Sequence, residues 1–330
     1  MLAPRLLTRR AAFAVGATAV AATALAGCGG TTADATTSTA GSGTVAVGNG
    51  PFLSNADLHL SDSKGYFKDA GLKVDIKVLT AGSDAVPQLL NNSLQFAAVD
   101  VGTAITAVAQ GLPIEVVAPN TVGSPGENGY GGVLVSPASG ITSAQGLVGK
   151  TVAVNQIGGT AMILTEASLA DQGVDPTKVK FTEVPPPQLV TTLVQGQADS
   201  AVLGEPGIAA ALGAGMKQLF NPEENTVPGK ATFVYITSKS FASKHPDEVK
   251  SFTSAVLKGH VFANANPDEV RAIAAKSTQV PPELLAKATL PTFGEKAVQP
   301  AEIDAWITLL EKYGDLDKAK APSAASVLGK

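Results

Sequence analysis

From residue 44 onward, short runs of β-branched and apolar residues alternate with longer stretches of helical periodicity. Strands alternating with helices form parallel sheets, because a parallel strand pair needs a long crossover connection. The alternation therefore predicts an α/β fold. The predicted strands lie at 44–47, 74–79, 96–99, 114–118, 133–136, 152–155, 179–184, 201–203 and 233–237, and the predicted helices between them at 85–91, 104–110, 161–172 and 188–195.

The sequence after residue 240 has a helical pattern instead. Pro246 opens one predicted helix, because proline suits the first helical turn. A second predicted helix begins at Pro300 and stops before Gly314. Its apolar residues recur at i, i+3, i+4 and i+7, which predicts helices that pack onto an existing lobe. These apolar residues are Ile303, Trp306, Ile307 and Leu310.

Segments 89–97 and 193–201 resemble each other. Each reads as a helix end, a residue suited to a left-handed cap, and a buried strand. Glycine is the best residue for such a cap and asparagine the next, which fits Gly196 and Asn92. The repeat predicts two similarly built lobes.

The amino terminus has the pattern of a cleaved secretory signal, residues 1–27. Arg5, Arg9 and Arg10 are followed by an apolar stretch over 11–26. That stretch is shorter than the roughly 20 residues that a helix needs to cross hydrocarbon. Arg9 and Arg10 with Phe13 nearby leave both the general and the twin-arginine export routes open.

Cys28 follows Leu25-Ala26-Gly27 and is the one cysteine in the chain. A single cysteine forms neither an internal disulfide nor a thiolate zinc cage. Residues 28–43 are nearly all Gly, Thr, Ser and Ala. Because such a segment has too little apolar surface to offset its ordering entropy, we expect a flexible tether.

Composition excludes several classes of function. The chain has 24 Lys and Arg against 28 Asp and Glu, a net charge of −4, whereas nucleic-acid binding needs clustered cations. His59, His245 and His260 have no metal-ligand spacing, and the common nucleophile, phosphate-loop and zinc-protease motifs are absent. We therefore predict no enzyme activity, no metal and no cofactor.

Four segments resemble the solute-binding proteins of bacterial importers for sulfonates, taurine, nitrate and thiamine-pyrimidine precursors. They are SKGYFKDAGLKV at 63–74, LVGKTVAV at 147–154, LVQGQADSAVLGEP at 193–206 and SFASKHP at 240–246. The stretch ending at Cys28 resembles the bacterial lipoprotein cleavage box. The chain departs from the importer family at Asn92, Gln95 and Gly204, where Gly, Asp and Trp are usual. Because of these departures, the family's ligand is not carried over.

The resemblance implies a two-lobed, type II periplasmic-binding-protein-like fold with a ligand cleft between the lobes. Lobe 1 is expected at 44–123 and 232–330, and lobe 2 at 124–231. The crossings between them are expected near 121–130 and 226–232, because both stretches contain Pro and Gly.

The resemblance also implies a function. We expect a monomeric protein that is lipid-anchored to the outer face of the cell membrane. It would capture a small organic solute by lobe closure and pass it to an ABC permease with its ATPase. An extracellular ligand-binding sensor remains an alternative. An enzyme of thiamine-pyrimidine type is a weaker one, because those relatives use a cysteine-rich motif that this chain lacks.

Ligands of open α/β sheets bind beyond the carboxyl ends of the strands. The loops at those positions mix glycine with hydrogen-bonding side chains. Helix capping is the alternative role for each residue, since Ser, Thr, Asp and Asn are favoured caps regardless of function. The candidate ligand-binding residues are Asn49, Phe52, Ser83, Asp84, Gly102, Thr103, Asn120, Gly159, Thr160 and Glu205.

The charges of these loops favour one ligand chemistry. After the signal the chain has a single arginine, Arg271, and the candidate loops contain no Lys or Arg. They do contain acids, namely Asp84, Asp100 and Glu205. Because buried charges need partners, we hypothesise that the ligand carries hydrogen-bond donors or a positive group. Sulfonate, amine and pyrimidine-like ligands remain open.

Overall fold

The computed structural model of the chain describes residues 43–50, 52–79, 84–124, 129, 131–278 and 280–330. The predicted signal with Cys28, Ser83 and half of the first predicted crossing, namely 125–128 and Tyr130, lie outside the described residues. The strands are β1 Thr44–Asn49, β2 Lys73–Val78, β3 Phe96–Asp100, β4 Ile114–Pro119, β5 Thr121–Val122, β6 Gly131–Val135, β7 Thr151–Val154, β8 Lys180–Glu183, β9 Ser200–Gly204, β10 Lys217–Phe220, β11 Phe233–Ser238 and β12 Thr292–Phe293.

The helices complete the α/β pattern. They are α1 Ala56–Ser63, α2 Tyr66–Asp69, α3 Ala85–Leu90, α4 Val101–Ala109, α5 Thr160–Asp171, α6 Pro186–Val194, α7 Gly207–Gly213, α8 Lys239–Lys244, α9 Pro246–Ala265, α10 Pro267–Ser277, α11 Pro282–Leu285, α12 Pro300–Tyr313 and α13 Ala324–Val327. Each strand predicted from the sequence is present, and the predicted α/β class is confirmed.

Two five-stranded sheets share one topology. The first has the order β2-β1-β3-β11-β4, and β11 runs antiparallel to both of its neighbours. The second has the order β8-β7-β9-β6-β10, and β6 is the antiparallel strand. In both, the third strand follows a helix that ends near a residue of positive φ, Asn92 at 63° and Gly196 at 69°. The internal repeat is thus confirmed as the same joint in two sheets.

We call the first sheet, its helices and the segment after β11 lobe 1, and the second sheet with its helices lobe 2. The chain passes from lobe 1 to lobe 2 between β4 and β6 and returns between β10 and β11. The two crossings run side by side, with the hydroxyl oxygens of Thr121 and Thr232 3.0 Å apart and the Thr232 N–H donating to the Thr121 carbonyl. The Val122 and Ala231 backbones form a bridge beside them.

A partly buried carboxyl group also lies at the crossings. Oε2 of Glu223 accepts a hydrogen bond from the Ser124 N–H, and the Asn221 amide donates to the Ser124 carbonyl. Burial raises the pKa of Glu223 to about 7, against the smaller lowering effect of the Ser124 N–H. This side chain therefore joins the outgoing crossing to the returning one.

Aromatic stacking holds the carboxyl-terminal helices onto lobe 1. The rings of Phe96 on β3 and Phe252 on α9 stack with centroids 3.9 Å apart, and Phe67 on α2 stacks on Phe252. The helices α1 and α9 approach closely at Gly259, where an added Cβ would lie 1.8 Å from the Ser61 hydroxyl oxygen. This close approach places His260, the next residue, inside the lobe with no exposed surface.

The helix α12 packs against both lobes. Its apolar face contains Trp306, whose indole N–H donates to the Ala231 carbonyl. In the same hydrophobic cluster Leu310 lies with Ile163 and Leu164 of α5, a helix of lobe 2. The helix α12 is thus an apolar contact between the lobes as well as part of lobe 1.

Candidate functional site

Predicted site residues of both lobes meet where α4 and α5 begin. Oδ1 of Asp100, the last residue of β3, accepts hydrogen bonds from the Thr103 N–H at 2.9 Å and from the Thr160 hydroxyl at 2.6 Å. Its Oδ2 accepts from the Thr103 hydroxyl at 2.6 Å. The bond from the Thr103 N–H caps α4, and the bond from the Thr160 hydroxyl joins the two lobes. Asp100 is therefore both a helix cap and an interlobe contact.

Gly102 makes this interlobe hydrogen bond possible. A Cβ at Gly102 would lie 3.1 Å from Oδ1 of Asp100 and 3.2 Å from the Thr160 hydroxyl oxygen. A larger side chain would press on both partners. The structure thus brings three of the predicted site residues, Gly102, Thr103 and Thr160, into one contact around Asp100.

Glu205 makes a second interlobe hydrogen bond. This side chain follows β9 and is buried, with 5% of its surface exposed. Oε1 accepts from the Thr289 N–H of lobe 1 at 2.9 Å, and Oε2 accepts from the Ala209 N–H of α7 at 3.1 Å. Burial raises the pKa of Glu205, and these N–H groups and the charge of Arg271 partly offset that rise. Both carboxylate oxygens thus accept from main-chain donors.

Asn49 is the last residue of β1, and Phe52 lies in the loop that follows it. The Asn49 side chain is buried and donates from Nδ2 to the Asn55 carbonyl at 3.2 Å. Asn55, also buried, donates from Nδ2 to the Gly50 carbonyl at 3.1 Å. A Cβ at Gly50 would lie 2.5 Å from the Phe52 ring, so glycine allows that ring to fold back over the loop. Phe52 is 40% exposed.

Asn120 follows β4 and is fully buried. Its Nδ2 donates to Oδ1 of Asp57 and to the Tyr235 hydroxyl oxygen, each at 3.2 Å. The Tyr235 hydroxyl in turn donates to Oδ2 of Asp57 at 2.8 Å. The pKa of Tyr235 is raised well above its ordinary value by burial and by the negative charge of Asp57. Asn120 is therefore positioned by a buried polar network.

His260 completes this network. Its Nε2 lies 2.7 Å from Oδ2 of Asp57, and its Nδ1 lies 2.6 Å from the Gly294 carbonyl oxygen. A carbonyl oxygen only accepts, so Nδ1 carries a proton. The Gly294 N–H donates back to the Asn120 carbonyl. The network thus links α1, β11, α9 and the segment after β12 to one candidate ligand-binding residue.

The remaining predicted site residues make local contacts. Asp84 is exposed at the start of α3, where its carbonyl accepts from the Gln88 side chain. Gly159 caps α5, and its N–H donates to the Gln156 carbonyl. Ser83 lies outside the described residues.

Residues 55–270 match the family described as NMT1/THI5 like. The chain belongs to the NMT1/THI5-like family. The resemblance to the solute-binding proteins of importers is confirmed by this match and by the relatives of the chain. The taurine-binding periplasmic protein of Escherichia coli (strain K12) is 28% identical over 193 residues, 58% of this chain and 58% of that protein. The matched stretch thus spans less than two thirds of that relative.

Solved structures of low sequence identity share the fold. The alkanesulfonate-binding protein SsuA from Xanthomonas axonopodis pv. citri, bound to MOPS, has a TM-score of 0.69 at 17% identity, over 88% of this chain and 98% of that one. The zinc-bound ligand-binding component of an ABC-type import system from Staphylococcus aureus has a TM-score of 0.73 at 16% identity, over 86% and 96%. The predicted periplasmic-binding-protein-like fold is thereby confirmed.

Across the part of the chain that the structure describes, no three His, Cys, Asp or Glu side chains cluster closely enough to hold a metal ion. In the same residues, no helix is both long and apolar enough to cross a membrane.

The sequence alone did not identify the residues that form the buried network around the Asn120 side chain, namely Asp57, Tyr235 and His260. A local signal existed for two of them. Asp57 shares a helical face with buried Leu53 and Leu60, and His260 continues the buried face of α9. An ionisable residue on an otherwise apolar face indicates a buried pair, but the pattern does not name its partner.

Proposed function

We propose that this NMT1/THI5-like protein is the extracytoplasmic binding component of an ABC uptake transporter. It captures a small organic solute between its lobes and passes it to a permease with a separate ATPase. The names of its relatives support this function, since they bind taurine or alkanesulfonate or belong to an import system. The proposed lobes are 44–123 with 232–330, and 124–231. We propose a monomer that acts without catalysis.

The observation that carries this proposal is the hydrogen bond from Thr160 to Asp100. It joins the first turns of α4 and α5 at the carboxyl ends of strands in both sheets. Ligands of α/β sheets bind in this region, and free N–H groups of helix N-termini point into it. A solute bound there contacts both lobes and shifts the population toward the form in which they meet.

The test is a screen of small amines, amides, carboxylates and sulfonates against the purified protein. We expect a solute that raises the melting temperature also to reduce the radius of gyration in small-angle scattering, without being consumed. Scattering at zero angle gives the mass and checks the monomer. Turnover of the solute would favour an enzyme, and stabilisation without compaction would contradict lobe closure.

Thr160→Val should weaken binding of that solute about tenfold, since one charge-assisted hydrogen bond between the lobes is lost. Thr177→Val is the matched control. The Thr177 hydroxyl donates to Asp175 at 2.7 Å, but both residues lie on the surface of lobe 2. The control should keep the affinity of the unaltered protein for the solute. An equal loss of affinity in both variants would show that the Thr160 hydroxyl has no specific role in binding.

We also propose that Cys28 carries a lipid anchor at the outer face of the membrane. The support is the Leu25-Ala26-Gly27-Cys28 sequence after a secretory pattern. In detergent phase separation of expressing cells, the unaltered protein should enter the detergent phase. Cys28→Ser should move to the aqueous phase, and the control Ser38→Ala should not. An unaltered protein found in the aqueous phase would contradict the anchor.

A further inference from the structure

Three buried asparagine side chains of lobe 1 have amide groups of fixed orientation. In each, Nδ2 faces an atom that only accepts hydrogen bonds. For Asn49 it is the Asn55 carbonyl, for Asn55 the Gly50 carbonyl, and for Asn120 a carboxylate oxygen of Asp57. Rotating any of these amides would set oxygen against oxygen. The position of each Oδ1 therefore follows from hydrogen-bond chemistry.

The Oδ1 atoms of these three residues have no hydrogen-bond partner among the described residues. The side chains are 2%, 3% and 0% exposed for Asn49, Asn55 and Asn120. Buried acceptors are almost always paired, because leaving one unpaired costs its desolvation free energy. Asn49 ends β1 and Asn120 follows β4, so two of the three lie at the sheet edge where ligands bind.

The nearby charged groups already have partners. Asp100 accepts from Thr103 and Thr160, and Asp57 accepts from Asn120, Tyr235 and His260. Within the described part of the chain, no Lys or Arg bonds to Asp100 or to the three asparagines. What this edge offers a ligand is thus a set of neutral acceptors without a compensating cation.

We infer that the cleft selects a small solute with several N–H donors, neutral or singly positive, such as an amine, amide or amidine. The amide oxygens of Asn49, Asn55 and Asn120 accept its hydrogen bonds. A sulfonate or carboxylate is disfavoured, because its oxygens would face these oxygens and the charge of Asp100. This inference rests on the proposed solute-binding function and names the substrate class of the same site.

The test uses probes of equal shape that differ in hydrogen-bonding groups. Acetamidinium offers donors alone, acetamide offers both groups, and acetate offers acceptors alone; benzamidine, benzamide and benzoate repeat the series with a ring. We expect the amidinium and the amide to bind at least tenfold more tightly than the carboxylate in calorimetric titration. Equal affinities, or a preference for the carboxylate or for methanesulfonate, would overturn the inference.

Variants connect the preference to the asparagines. Asn49→Ala and Asn120→Ala should each weaken binding of the preferred probe about tenfold, and neither should weaken binding of the carboxylate, because each removes an oxygen that repels it. Asn91→Ala, at an exposed asparagine after α3, is the control. Circular dichroism checks that each variant is folded. If Asn120→Ala does not fold, Asn49→Ala alone tests the ligand preference. Unchanged affinity in the folded variants overturns the inference.

The outcomes separate the ligand class from the function. Tight carboxylate or sulfonate binding with lobe closure would overturn the ligand class and leave the solute-binding function standing. If no compound of the full screen changes either the melting temperature or the radius of gyration, the solute-binding function is overturned, and the ligand class with it.

Discussion

Replacing His260 by alanine should lower the free energy of unfolding by about 3–5 kcal/mol, because it leaves the Asp57 carboxylate buried without its partner. Both side chains have no exposed surface, and Nε2 of His260 lies 2.7 Å from Oδ2 of Asp57. The loss is measured by urea unfolding at neutral pH.

The protons of this pair explain the size of the loss. Nδ1 of His260 carries one proton, because it faces the Gly294 carbonyl. The short contact between Nε2 and Oδ2 needs a second proton, so the pair together holds two. With two protons the pair is neutral overall, and removing the ring leaves Oδ2 of Asp57 buried without this neighbour.

Two variants test this explanation. His245→Ala is the matched control, since His245 is half exposed and lies 3.4 Å from Glu248, and we expect a loss below about 1 kcal/mol. The double variant Asp57→Leu/His260→Leu leaves no charge buried, so we expect it to recover part of the His260→Ala loss. The Tyr235 hydroxyl, which then lacks its Asp57 acceptor, keeps this variant less stable than the unaltered protein. A His260→Ala loss no larger than that of His245→Ala would rule out the buried pair.

The same network has a consequence for ligand binding. Asp57 and Tyr235 hold Nδ2 of Asn120, so they decide which amide atom is left for a ligand. The double variant Asp57→Leu/His260→Leu, which recovers part of the stability, removes this restraint on Asn120. Stability and ligand preference would thus separate in one protein, which a purely structural role for Asp57 would not produce.

The fold could be predicted from the sequence because its signals are local. The β-branched strands, the caps and the α12 face each depend on a few neighbouring residues, and the structure has them within a few positions. The strand β10 is not predicted from the sequence, because its four residues, Lys217 to Phe220, include a charged residue and are too few to show the alternation of a strand. Pairings such as Asp57 with His260, 203 residues apart, have no local signal.

The candidate site was predictable in position but not in partners. Reading the loops after strands selects Asp100, Thr160 and Asn120 correctly as strand-end or helix-start residues. The sequence treats Asp100 and Glu205 as equivalent acids available to a ligand. In the structure both accept hydrogen bonds across the lobes, and that depends on how two sheets face each other. The acceptors without a partner are the amide oxygens of asparagine residues, and a comparison of charged residues in the sequence does not reveal them.

Glu205→Ala should shift the lobes toward separation by about 10–100-fold in the equilibrium constant. The Glu205 carboxylate makes a charge-assisted hydrogen bond to the Thr289 N–H of the other lobe, and such bonds contribute about 1.5–3 kcal/mol. A solute that needs both lobes should bind more weakly by the same factor, because its affinity scales with the population of the competent form.

The distance between the lobes can be measured with spin labels. Cys28→Ser removes the natural thiol, and Lys68→Cys on lobe 1 with Gln195→Cys on lobe 2 introduces two exposed label positions. Glu205→Ala should broaden and shift the distance distribution measured by pulsed electron resonance. Glu183→Ala is the control, because its carboxylate accepts from the Ile157 N–H within lobe 2. It should leave the distribution unchanged.

Glu205 also accepts from the Ala209 N–H, so the alanine variant weakens the start of α7. Thr289→Pro separates the two effects, since it removes the donor in lobe 1 and leaves Glu205 and α7 intact. If the interlobe bond is what matters, both variants should give the same shifted distribution and the same loss of affinity. A shifted distance distribution in Glu205→Ala alone would assign the effect to α7. An unshifted distribution in both variants would mean that the contact between the lobes depends on Thr160 and α12 and not on Glu205.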